Sequence, residues 1–107
     1  MKLKYSEDAK RDLQYFRESL NAFNQSGDTF FDEILVYARK LSDSPKLGAS
    51  LQSKINLITD LRFLVFPFTK KQIYIIIYRI DETADIIYIN RVFDGRVNYL
   101  NTLFSNR

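Results

Sequence analysis

The segment QIYIIIYRI, residues 72–80, is the strongest strand signal in the chain, because β-branched and aromatic residues fill it. Its odd positions up to residue 77 are all isoleucine, and its even positions are nearly as apolar. Neither side of this strand therefore resembles a solvated face. Two explanations are compatible with this pattern: loops and tails of the chain itself pack on both faces of the strand, or one face binds an apolar surface of another protein.

Two further strands flank this segment in sequence. Residues 61–68, LRFLVFPF, precede it across the turn TKK, and residues 86–93, IIYINRVF, follow it across the turn DETAD. Short turns between consecutive strands favour an antiparallel meander.

The first half of the chain has helical periodicity. Residues 2–5, KLKY, alternate as a short strand does, and Ser6 is a good N-cap for a helix over about 6–23. A second helix starts near residue 28, and Pro45 and Gly48 end it. Residues 49–60 show no clear pattern, and residues 97–104 could form a closing helical turn or more.

These elements predict one α+β domain over residues 1–107. We expect an N-terminal strand at the edge of the sheet, a two-helix hairpin packed on one face of a C-terminal antiparallel β-sheet, and a short C-terminal helix.

Composition excludes several kinds of chemistry. The 107 residues contain no cysteine and no histidine, so thiolate chemistry and a Ser-His-Asp triad are impossible. The three glycines are too scattered for a phosphate-binding loop. No carboxylate motif suggests a metal site, and we expect no metal and no cofactor. No apolar run approaches the roughly 18 residues of a membrane span. We therefore expect a cytoplasmic protein without a membrane partner.

The net charge of +3 lies entirely in the second half of the chain. Residues 1–61 hold nine basic and nine acidic side chains, whereas residues 62–107 hold seven basic and four acidic ones. This asymmetry suits an anionic partner such as nucleic acid or an acidic protein, but a mildly basic solvated surface would give it too.

A group of arginines on the predicted strands or at their ends forms the candidate site, together with one late tyrosine. Its members are Arg62, Arg79, Arg91, Arg96 and Tyr99. Arginine forks suit phosphate or carboxylate groups, and a tyrosine can stack on a base or, less often, shuttle a proton. The alternatives are strand-end salt bridges, of Arg79 with Asp81 or Asp85 and of Arg96 with Asp94, and a packed Tyr99.

Several short motifs, taken in order, resemble the ParE/RelE family of bacterial toxins, the toxic halves of type II toxin–antitoxin modules. The resemblance covers nearly the whole chain and is stronger to the ParE branch. Two departures stand out: Asp94 replaces a histidine of many members, and Asn98 replaces an aspartate. The matching residues are Ala9, Asp12, Leu13, Pro45, Gly48, Arg62, Tyr78, Arg79, Arg91, Val92, Gly95 and Arg96.

The resemblance implies a RelE/ParE-like fold and a cognate antitoxin whose carboxy-terminal segment wraps the toxin, so that any oligomer forms only through the antitoxin. We expect the apolar strand residues Tyr74, Ile76 and Tyr78 to contact that partner. ParE-like members imply DNA gyrase as the target, bound through the arginines and Tyr99 without catalytic residues.

Two other functions stay open. One is a metal-free, ribosome-dependent mRNA endoribonuclease of the RelE type, with Arg96 and Tyr99 as catalytic candidates. The other is an inactive, toxin-like module that only binds a partner.

Overall fold

A computed structural model describes residues 1–54 and 58–104 of the chain. The elements follow in chain order: β1 Lys2–Tyr5, α1 Glu7–Asn24, α2 Gly27–Ala38, α3 Lys40–Asp43, β2 Ala49–Ser50, a 3₁₀ turn Leu51–Ser53, β3 Arg62–Pro67, β4 Ile73–Asp81, β5 Ile86–Asp94 and α4 Tyr99–Phe104.

The five strands form one sheet in the order β1-β5-β4-β3-β2. Strands β3, β4 and β5 form the predicted antiparallel meander, and β1 lies at the edge as expected. Strand β1 runs parallel to β5, with Lys2 opposite Ile86 and Tyr5 opposite Ile89, so the C-terminal strands are antiparallel as predicted and the complete five-stranded sheet is mixed. No hairpin links β1 to its neighbour, and turn lengths therefore carry no information about its direction.

Local chemistry sets the limits of the helices. The Ser6 hydroxyl accepts from the Ala9 amide at 3.0 Å, so it caps α1 as predicted, and it also donates to the Asn90 carbonyl at 2.7 Å. The second predicted helix is two helices, because α2 ends at Ala38 and the short α3 follows. The first residue of α2, Gly27, passes so close to α1 that an added Cβ would lie 1.9 Å from the Arg17 carbonyl oxygen. The helical hairpin is thus tightly closed.

The two faces of β4 are both covered by the chain itself. Tyr74, Ile76 and Tyr78 lie beneath α1 and α2, on what we call the α1/α2 face, and are 4%, 1% and 0% exposed. These residues, which we expected to contact a partner, are thus buried by the chain's own helices, because periodicity could not show which alternate positions of β4 the helices cover. Ile75 and Ile77 lie on the opposite face, which we call the α4 face, where Leu51 and α4 cover them.

Candidate functional site

Arg62 ties the loop after α3 to the sheet. Its Nη2 donates to the Gly48 carbonyl at 2.6 Å, and its Nε donates to the Tyr78 hydroxyl at 3.3 Å. That hydroxyl donates to the Pro45 carbonyl at 2.7 Å and accepts from the Gly48 amide at 3.1 Å. An added Cβ at Gly48 would meet the Phe63 carbonyl oxygen at 2.2 Å, so only glycine allows this approach. These contacts give Arg62 a structural role.

Arg91 pairs with the carboxylate of Asp12 on α1. Its Nε and Nη2 donate to the two carboxylate oxygens at 2.8 and 3.1 Å, and the Val92 amide donates to the same carboxylate at 2.9 Å. The pairing of β1 with β5 stops at Ile89, so Asp12 satisfies the edge of β5 where β1 no longer does. Hydrogen bonding to Asp12 raises the pKa of Arg91. Its fork is therefore already occupied.

Arg96 forms the predicted strand-end ion pair with Asp94. Its Nη2 and Nε donate to the carboxylate at 2.7 and 3.1 Å, and the hydrogen bond from Arg96 lowers the pKa of Asp94. The Arg96 side chain is nonetheless 72% exposed. It lines a cleft of about 380 Å³ on the α1/α2 face, together with Phe16 and Phe23 of α1.

Tyr99 lies on the opposite side of the sheet. It opens α4, and its ring stacks on Phe93 with centroids 5.9 Å apart and planes inclined by 26°. Phe93 belongs to the apolar cluster of the α4 face. Arg96 and Tyr99 therefore do not converge on one reacting group, and Tyr99 is the packed aromatic that the sequence offered as an alternative.

Arg79 differs from the other arginines because it has no carboxylate partner among residues 1–54 and 58–104. The predicted pairs with Asp81 and Asp85 do not form. Instead the guanidinium lies over the Tyr88 ring, with Cζ 4.3 Å from the centroid. Tyr88 is opposite Arg79 on one side and opposite Lys4 on the other.

Lys4, Tyr88 and Arg79 thus form a row across three strands on the α4 face, which we call the cationic row. Residues paired in register point to the same side of a sheet, and the neighbouring Leu3 packs into the opposite, α1/α2 side. Lys4 and Tyr88 were not identified as site residues from the sequence. They are neighbours only because β1 pairs with β5 in parallel, and that pairing cannot be read from the sequence.

A polar cleft of about 470 Å³ lies beside the cationic row. Arg79, Tyr88 and Arg91 line it from the sheet, Ser6 from the N-cap of α1 and Thr102 from α4. The Arg91 guanidinium stacks on Phe93, with Cζ 4.6 Å from the ring centroid. The cleft therefore presents two stacked guanidinium groups, one of them already paired.

Further along the α4 face, the centre of the sheet is apolar. Phe63 on β3 lies opposite Ile77 on β4, and Val65 lies opposite Ile75. Within the described part of the chain, no group of three or more carboxylate, histidine or cysteine side chains could hold a metal ion. No helix among those residues is long and apolar enough to cross a membrane.

Comparison with known proteins shows which family this fold and these residues resemble. The family model described as ParE toxin of type II toxin-antitoxin system, parDE, matches residues 3–99. A comparison with curated proteins found no match to this chain.

Among solved structures, the chromosomal ParDE toxin–antitoxin system from P. aeruginosa matches with a TM-score of 0.68 at 18% identity, over 88% of this chain and 95% of that chain. The intact E. coli RelBE toxin–antitoxin complex matches with 0.60 at 12%, over 90% and 98%. The isolated E. coli RelE toxin matches with 0.62 at 10%, over 95% and 92%. These likenesses show a RelE/ParE-like fold, as the sequence motifs implied.

Proposed function

Since the chain belongs to the ParE toxin family of type II toxin–antitoxin systems, we propose that it arrests growth by binding DNA gyrase and that a cognate antitoxin neutralises it. The toxin acts by contact rather than by covalent chemistry. The similar ParDE and RelBE structures are toxin–antitoxin systems, which supports an antitoxin partner for this chain as well.

The separation of Arg96 from Tyr99 is the observation that carries binding over RNA cleavage. Stabilising a phosphodiester transition state requires charged and proton-transferring groups around one reacting phosphate. Here Arg96 lines a cleft on the α1/α2 face, whereas Tyr99 packs on Phe93 on the α4 face. Ile75 and Ile77, at the centre of the α4 face, are buried beneath Leu51 and α4 and offer no open surface to a phosphate.

The four candidate arginines fall into two pairs, one structural and one available to a target. Arg62 and Arg91 hold the fold together, while Arg79 and Arg96 keep surface for a target. Arginine forks give directed contacts to carboxylates of a protein surface.

The antitoxin occupies a different surface from the buried residues of β4. A cleft of about 320 Å³ lies where α1, α2 and β1 meet, and its walls are almost entirely apolar. Tyr5, Leu13, Phe31 and Leu35 line it. An amphipathic helix that lays its apolar side chains into this groove would bind in a common mode of peptide recognition.

Growth and gyrase assays test the proposal together. Expression of the chain alone should arrest growth, and co-expression of the antitoxin should restore it. The purified protein should inhibit gyrase supercoiling or leave cleaved DNA, and the same protein premixed with antitoxin should not.

Two outcomes would contradict the proposal. Cleavage of ribosome-bound mRNA with gyrase unaffected would support the endoribonuclease. Normal growth of cells that contain folded protein at high level would support the inactive module.

A further inference from the structure

The cationic row carries positive charge that no ion pair within the described part of the chain neutralises. Lys4 and Arg79 make no ion pair there, because Asp8 pairs with Arg11 and Asp12 with Arg91. Asp81 accepts from the Ala84 amide instead. Stacking on Tyr88 holds the Arg79 guanidinium in one orientation and leaves its edge free for hydrogen bonds. The Arg79 guanidinium is therefore already held in place, and the exposed Lys4 adds a second positive charge to the row.

The surroundings of the row favour a carboxylate over a nucleic acid. Single-stranded nucleic acids bind along extended basic grooves with exposed aromatic faces for their bases. Here guanidinium groups already cover the rings of Tyr88 and Phe93. Asp81 follows Arg79 on the same side of β4, and Asp8 lines the adjacent cleft, so a continuous phosphate chain would pass two carboxylates.

We propose that the cationic row receives a carboxylate-bearing loop of the toxin's protein target, with Arg79 binding the carboxylate and Lys4 adding a second charge. This inference rests on the proposed binding function and names the contact surface that performs it. The antitoxin groove between α1 and α2 belongs to the other side of the sheet. The two contacts are therefore separable by mutation.

A double variant that removes both positive charges, Lys4→Gln with Arg79→Gln, tests the row. The matched control is Lys70→Gln with Lys71→Gln, which removes the same two charges from the exposed turn between β3 and β4. The row variant should lose at least tenfold in affinity for gyrase holoenzyme and in potency of growth arrest, as expected for a directed charged contact. Its thermal midpoint and antitoxin affinity should match the control. A row variant as potent as the control overturns the proposal.

A second measurement does not depend on gyrase. A hexaglutamate peptide, added to the full chain at low salt, should shift the amide resonances of Arg79 and Tyr88, and the row variant should bind it at least tenfold more weakly. Equal binding by the row variant, or tighter binding of a single-stranded oligonucleotide at the same salt, overturns the inference. If the peptide results hold while wild-type protein leaves gyrase unaffected, the choice of gyrase fails and the row stands.

Discussion

Asp12 connects two distant parts of the chain through one carboxylate. It accepts both donors of the Arg91 fork and the Val92 amide, and it lies 79 residues from Arg91 in sequence. The arginine–carboxylate pair is largely shielded from solvent, with 15% of the Asp12 side chain exposed. A shielded, two-pronged arginine–carboxylate pair of this kind stabilises the folded protein more than an exposed ion pair does.

Replacement of Asp12 by alanine should therefore lower the free energy of unfolding by about 1–3 kcal/mol, because a partly buried charge and a strand amide both lose their acceptor. Urea denaturation measures this loss. Asp8→Ala is the control, since Asp8 pairs with Arg11 on the exposed side of the same helix. Equal stability of the two variants would mean that Asp12 has no structural role.

Among the secondary structure elements, the strands were easier to predict than their pairing. The β-branched and aromatic side chains of β4 indicate a strand by themselves. The short turns on either side of β4 indicate that β3 and β5 run antiparallel to it. The cover of each face depends on contacts between residues far apart in sequence. Periodicity could not show that α1 and α2 cover Tyr74 rather than Ile75, nor that Lys4 stands opposite Tyr88.

Dependence on long-range contacts also explains why the sequence could not show which arginines are available to a ligand. Arg79 and Arg91 lie on strands and Arg96 follows one, and all three have the same side-chain chemistry. Sequence alone therefore could not rank them as candidates. Their partners decide between them: Asp12 for Arg91, Asp94 for Arg96 and the Tyr88 ring for Arg79. Only the pair with Asp94 is local enough to be suggested by sequence.

The helical hairpin depends on the close approach of α2 to α1 at Gly27. Alanine there would place its Cβ 1.9 Å from the Arg17 carbonyl oxygen and 2.6 Å from the Asn21 side chain. Because the nearest atom is backbone, the helices must move apart, and we expect Gly27→Ala to destabilise the protein by about 1–3 kcal/mol. Thermal denaturation, with the exposed Thr29→Ala of the same helix as control, measures the effect. A midpoint equal to that of the control would show that the hairpin accommodates the methyl group freely.

The sheet as a unit is covered unequally on its two faces. Two long helices cover one face, whereas the short α4 and Leu51 cover the other. Stability on the α4 face therefore rests on few side chains, among them Leu103 against the cluster of Ile75, Ile77 and Phe93.

A charge at position 103 should detach α4, because an aspartate cannot remain in an apolar contact without losing its hydration. We expect Leu103→Asp to increase binding of a hydrophobic dye severalfold while far-ultraviolet dichroism keeps most of its helical signal. The exposed Asn101→Asp of the same helix provides the control. Dye binding equal to that of the control would show that α4 contributes little to covering the sheet.

The parallel pairing of β1 with β5 also determines when the cationic row can form during synthesis. Residues 2–5 cannot pair until residues 86–89 have emerged, and the Asp12–Arg91 pair waits equally long. Contacts of such sequence separation form late and slowly compared with local ones. Lys4 and Tyr88 come together only in that last step. A nascent chain that already holds α1 and α2 thus still lacks the cationic row until Tyr88 has emerged and paired with Lys4.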